Sequence, residues 1–90
     1  MQLILEVRLE DGDSARTRDF RRVVQREYPG VPRGGDVLDF GDRGRTMPRR
    51  VSEAIFLESG EVIVRTLSTN IDNDPEPQVH ALLELGYSEM

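Results

Sequence analysis

Residues 51–68, VSEAIFLESGEVIVRTLS, are two apolar runs joined by Ser59 and Gly60, and they constrain this chain more than any other stretch. Each run is rich in β-branched residues, and a Gly in the gap supplies the positive φ that a tight reversal needs, so the stretch reads as a β-hairpin. With Ser59 and Gly60 as a two-residue turn, Glu58 faces Glu61, Leu57 faces Val62, Phe56 faces Ile63, Ile55 faces Val64 and Ala54 faces Arg65. Alternation then puts Ile55, Leu57, Val62 and Val64 on one face, and Phe56, Ile63 and Leu67 on the other. Both faces are partly apolar. A two-stranded hairpin is marginal alone in water, so other strands and at least one helix must cover this one.

The flanking sequence supplies candidates for that cover. Residues 2–10, QLILEVRLE, alternate Leu3, Leu5, Val7 and Leu9 against Ile4, Glu6, Arg8 and Glu10, the period-2 pattern of a half-buried strand. Asp11, Gly12 and Asp13 then turn the chain, and Ser14 is placed to cap a helix from about Ala15 to Tyr28. Phe20, Val23, Val24 and Tyr28 recur at helical spacing, with Arg18, Arg21, Arg22 and Gln25 on the far side, and Pro29 with Gly30 stops the run. DVLDF at 36–40 reads as a short strand with Leu38 and Phe40 on one face. Strand, helix and strand in that order suggest a parallel crossover unit. GDRGRTMPRR at 41–50 reads as a polar loop. An acidic connector with two prolines spans 69–78, followed by a short helix in VHALLELGY. Asp74 is its expected N-cap, Pro75 its first residue, Val79, Leu82 and Leu83 its apolar face, and Gly86 its end.

Assembled, the expectation is a single two-layer α+β domain over residues 1–90, in the order β-α-β-β-β-α, with a four-stranded mixed or antiparallel sheet and helices packed against it. If both helices cover the face of Leu3, Leu5, Val7, Ile55, Leu57, Val62 and Val64, the residues Ile4, Phe56, Ile63 and Leu67 form an apolar patch that another copy of the chain would bury.

Composition removes several function classes. No cysteine is present, so no thiolate metal site, disulfide framework or cysteine nucleophile is available. The opening MQLILEVRLEDG is too charged for a signal peptide, and no apolar run is long enough to span a membrane, so a cytoplasmic location is expected. All twelve basic residues are Arg, a bias that codon usage in a GC-rich genome produces. Charge is unevenly spread: residues 14–50 carry ten Arg against five acids, +5, inside a chain of net charge −5.

Two surfaces emerge as candidate sites. One is the apolar patch of Ile4, Phe56, Ile63 and Leu67. The other is an arginine field, Arg18, Arg22 and Arg26 at i, i+4 spacing on the expected helix, extended by Arg45, Arg49 and Arg50 from the loop. Guanidinium forks match phosphate oxygens, so this field suits an anion or nucleic acid. Against that, no aromatic residue interleaves the arginines, and the acidic flanks repel a polyanion within a Debye length of about 10 Å. Asn70, Asp72, Asp74 and Glu76 place oxygens at alternate positions, but Pro75 and Pro77 stand where a cation loop needs a flexible turn. His80, the one histidine, sits beside the helix's apolar stripe without a partner for metal binding or base catalysis. The glycines at 30, 34, 35, 41 and 44 precede strands rather than helices and read as turns. The expected function is a small non-catalytic binding module without cofactor or metal, acting through protein contacts and self-associating as a homodimer. A nucleic-acid-associated module using the arginine field is the alternative, and no membrane partner is expected.

Overall fold

The structure, a computed structural model, describes residues 2–11, 16–25, 30–42, 44–66, 69–71 and 75–90. Its elements are β1 (Gln2–Asp11), β2 (Thr17–Gln25), β3 (Val37–Asp39), β4 (Pro48–Phe56), β5 (Val62–Thr66), β6 (Thr69–Ile71), α1 (Glu76–Glu84) and β7 (Ser88–Glu89). They form a mixed sheet in the order β3-β4-β5-β1-β2-β7, with β6 also pairing to β1. The expected β-α-β-β-β-α domain with a four-stranded sheet is therefore corrected: one described helix packs on a larger sheet. No helix among the described residues is long and apolar enough to cross a membrane.

The largest departure is β2. Where helical spacing predicts a helix over 15–28, residues 17–25 pair antiparallel with β1, from Gln2 opposite Gln25 to Glu10 opposite Thr17. Thr17, Phe20, Val23 and Val24 all favour an extended backbone. In a strand Val23 and Val24 point to opposite faces, so the helical stripe they would share does not exist. The expected cap Ser14 and stop at Pro29 lie outside the described residues.

The expected crossover is also replaced. β3 pairs antiparallel with β4, Val37 opposite Arg50 and Asp39 opposite Pro48, so the polar loop expected over 41–50 ends in strand. The parallel neighbours of β1 are β5, with Leu3 opposite Val62 and Leu5 opposite Val64, and β6, with Leu9 opposite Thr69. These pairings make β1 the centre of the sheet, consistent with the near-complete burial of Leu3, Leu5, Val7 and Leu9.

The hairpin of β4 and β5 forms, but one residue out of the expected register. Phe56 faces Val62, Ile55 faces Ile63 and Ala54 faces Val64. The cause is a three-residue loop, Glu58-Ser59-Gly60: the Leu57 amide donates to the Glu61 carbonyl at 2.9 Å, the Gly60 amide donates to the Leu57 carbonyl at 3.0 Å, and Gly60 has φ of 93°. This is the type I turn closed by a left-handed residue that three-residue hairpins favour. Because strand periodicity is two, the slip exchanges faces: Ile55 joins Ile63, while Phe56 joins Val62 and Val64. A bulge between Val51 and Glu53 then lets both Val51 and Ala54 face the core.

The core lies between the sheet and α1. Leu3, Leu5, Val7, Leu9, Phe20, Val62 and Val64 from the sheet meet Val79 and Leu82 from α1, with Phe40, Val51 and Tyr87 closing the sides. The helix ends as the sequence indicates. The Gly86 amide donates to the Leu83 carbonyl and the Tyr87 amide to the Leu82 carbonyl, both at 3.0 Å, with Gly86 at φ 89°. These are the paired bonds of a Schellman stop, and they turn buried Tyr87 into the core. Of the expected apolar face, Val79 and Leu82 are buried and Leu83 is exposed. Pro75 occupies the N-cap position without a side-chain cap, and Asp74 lies outside the described residues.

Gly60 has open space around its Cα, so a methyl there meets nothing and only the backbone conformation resists it. Gly60→Ala should lower unfolding free energy in urea by about 1–2 kcal/mol. Gly30→Ala, equally open but not held at positive φ, should leave it unchanged or slightly raised.

Candidate functional site

The arginine field does not assemble. Arg18 and Arg22 share the helix-side face of β2, opposite Leu9 and Leu5, while Arg49 and Arg50 lie on β4, separated from β2 by β1 and β5. Arg26 lies outside the described residues. Each described member is held within the chain. Arg18 donates to both oxygens of Glu89 at 2.7 and 2.6 Å, Arg45 to Glu84 at 2.9 Å, Arg49 to the Pro48 carbonyl at 2.8 Å and Arg50 to the Gly35 carbonyl at 2.9 Å.

Arg22 is the most committed of them. Its side chain is only 10% exposed, and its guanidinium donates to the carbonyls of Leu85 (2.8 Å), Gly41 (2.8 Å) and Phe40 (3.4 Å). It stacks 5.0 Å from the centre of the Tyr87 ring, whose hydroxyl donates to the same Phe40 carbonyl at 2.6 Å. Asp42 lies 3.5 Å away and balances the charge. A residue read as an anion ligand is thus a clasp joining β2, the exit of β3 and the end of α1. Gly41 must be Gly here, because a Cβ would overlap the Arg45 carbonyl and approach the Met47 amide.

The cation reading of Asn70, Asp72, Asp74 and Glu76 falls mostly outside the described side chains; Glu76 lies 3.6 Å from Arg18. Among the described residues no three acidic or histidine groups converge as metal ligands would. His80 is exposed on α1. A cleft of about 340 Å³ beside the end of α1 is lined by Asp42, Arg45, Glu84 and Leu85, and the Arg45–Glu84 pair occupies its charges.

What remains distinctive is the sheet face turned away from α1. Strand register sets its residues in rows across β2, β1, β5 and β4. One row is apolar: Val23, Ile4, Ile63, Ile55. Val23 is 56% exposed, Ile4 and Ile55 are half-buried, and Ile63 is 7% exposed. The next row is charged and alternates in sign: Arg21, Glu6, Arg65, Glu53. Glu6, 2% exposed, accepts from Arg21 Nε at 2.6 Å and from Arg65 Nε at 2.8 Å, and Arg65 also donates to Glu53 at 2.9 Å. The bond to Glu53 is the leading cause that holds the Arg65 guanidinium above its ordinary value. Beyond it, Arg8 and Asp19 pair at 2.8 Å.

Of the expected patch, Ile4 and Ile63 are on this face. Phe56, 68% exposed, is on the helix side because of the register shift, and Leu67 lies outside the described residues. Val23 and Ile55 replace them. Val23 was hidden by its assignment to a helix, and Ile55 by the two-residue turn; the β propensity of Thr17, Phe20, Val23 and Val24 was the signal available for the first. Comparison of the chain with protein-family models, curated proteins and solved structures finds no match.

Two predictions follow from the arginine geometry. Arg22→Lys keeps the charge but loses the fork, leaving buried carbonyls unsatisfied, and should lower unfolding free energy by about 2–3 kcal/mol in urea titration. The Arg18–Glu89 bond raises the Arg18 guanidinium above, and lowers the Glu89 carboxyl below, their ordinary values. A carboxyl lowered by folding stabilises above its unfolded value, and that contribution is lost as pH falls through the folded value. The tie holding β7 to β2, where the Met90 amide donates to the Asp19 carbonyl at 2.8 Å, should therefore loosen only at acid pH. Amide-exchange protection at Met90, corrected for intrinsic rate, should fall below the ordinary carboxylate range, and Arg18→Gln should abolish that acid step.

Proposed function

We propose that this chain is a non-catalytic binding module that works through protein contacts and associates with itself at the sheet face turned away from α1. The observation that carries this is the apolar row of Val23, Ile4, Ile63 and Ile55, lying across the four middle strands with Val23 largely exposed. A row of β-branched residues on a rigid sheet offers area for burial with little ordering cost. The neighbouring charges do not oppose docking, since Arg21, Glu6, Arg65 and Glu53 already neutralise one another.

The test is sedimentation of the purified chain over a wide concentration range. A dimer is expected, and Val23→Thr with Ile55→Thr, which keep β-branching but add hydroxyls, should weaken it about 100-fold or more while leaving the monomer folded. A wild-type chain that stays monomeric at millimolar concentration would overturn the proposal.

A further inference from the structure

The charged row carries information about how a second copy would sit. Read across β2, β1, β5 and β4 it runs plus, minus, plus, minus: Arg21, Glu6, Arg65, Glu53. An alternating row of four inverts its signs when reversed end to end. From this symmetry, resting on the self-association reading above, we propose that the partner of this face is a second copy related by a two-fold axis that runs parallel to the strands, between β1 and β5.

Under that operation each residue keeps its height along the strands and exchanges left for right. Arg21 faces Glu53 of the second copy, Glu6 faces Arg65, and the remaining two pairs follow by symmetry. The apolar row, one pleat away, is carried onto itself: Val23 faces Ile55 and Ile4 faces Ile63. Both rows are satisfied by one rotation. Strands of the two sheets then run in the same direction, as in aligned face-to-face packing, where strand directions agree within about 30°. An isologous contact demands a self-complementary patch, and this row is one.

The competing two-folds fail on the same residues. An axis perpendicular to the strands lays each strand over its own copy. If it passes through the charged row, Arg21 meets Arg21 and Glu6 meets Glu6; if it passes between the rows, the charges meet Val23, Ile4, Ile63 and Ile55. An edge-to-edge dimer leaves the apolar row uncovered. The ends of the row can accept new partners. Among the described residues Arg21 bonds Glu6 through Nε, and Glu53 bonds Arg65 through one oxygen.

The decisive experiment pairs two charge-swapped chains. Glu53→Arg alone sets two positive ends against each other, Arg21→Glu alone sets two negative ends together, and each should dimerise at least about tenfold more weakly than the wild type. Mixed in equal amounts, they should form a heterodimer with affinity within a few-fold of the wild type, read by sedimentation with one chain fluorescently labelled. A mixture as weak as the separate variants, beside a dimeric wild type, overturns the two-fold and leaves self-association standing. A monomeric wild type overturns both.

Because Arg21→Glu removes a partner of buried Glu6 and can unfold the chain, a second measurement uses cysteines, of which the natural chain has none. Val23→Cys and Ile55→Cys chains, mixed and oxidised, should form disulfides between unlike chains in large excess over like pairs. Equal or greater bonding between like chains would overturn the proposed axis.

Discussion

The terminal nitrogens of Arg22 donate to the carbonyls of Phe40, Gly41 and Leu85, and its guanidinium carbon lies 5.0 Å from the centre of the Tyr87 ring, so one side chain of β2 holds the exit of β3 and the end of α1 at once. Those carbonyls belong to irregular backbone, which has no ladder or helix to satisfy it. A charged donor in a mostly buried position makes each bond stronger than a neutral one, and makes its absence costly. The Schellman stop at Gly86 and the Tyr87 hydroxyl converge on the same point. Around this clasp α1 is kept over Leu3, Leu5, Val7 and Phe20, and only one face of the sheet is left for anything else.

That other face combines two kinds of stability. Glu6 is nearly inaccessible, yet both of its oxygens are met by guanidinium groups on the two flanking strands. Cross-strand pairs of opposite sign support the sheet, and the ladder through Glu53 ties β2, β1, β5 and β4 laterally. Fully paired charges of this kind fix register, because a slip of one residue would bury Glu6 against apolar side chains. The apolar row one pleat away gains from the same arrangement: its strands are tied laterally by the charged ladder beside it.

Much of this site was invisible to local reading. The arginines at 18 and 22 suggested an anion surface because spacing of four implies one helix face, but in a strand those positions are two pleats apart and turned toward the core. Arg22 looked polar and therefore external; its burial depends on carbonyls eighteen and more residues away, which no window over 17–25 contains. Ile4 and Ile63 share the face expected of them, because side chains alternate along any strand and set Ile4 against Leu3 and Leu5 in β1, and Ile63 against Val62 and Val64 in β5. Val23 and Ile55 were missed for separate reasons, one through element type and the other through a single residue of loop length.

Local chemistry alone settled the elements whose causes lie within a few residues. The alternation of Leu3 to Leu9 made β1 a strand, the apolar runs around Gly60 made a hairpin, and Gly86 ended a short helix bearing Val79 and Leu82. Tertiary structure decided what depends on partners distant in sequence: that 17–25 extends along β1 instead of coiling, that β5 is a parallel neighbour of β1, and which face Phe56 and Ile55 occupy. The physical reason is the range of the forces involved. Turn and cap preferences act through adjacent backbone, whereas strand pairing and burial of a charge take their free energy from groups that the fold alone brings together.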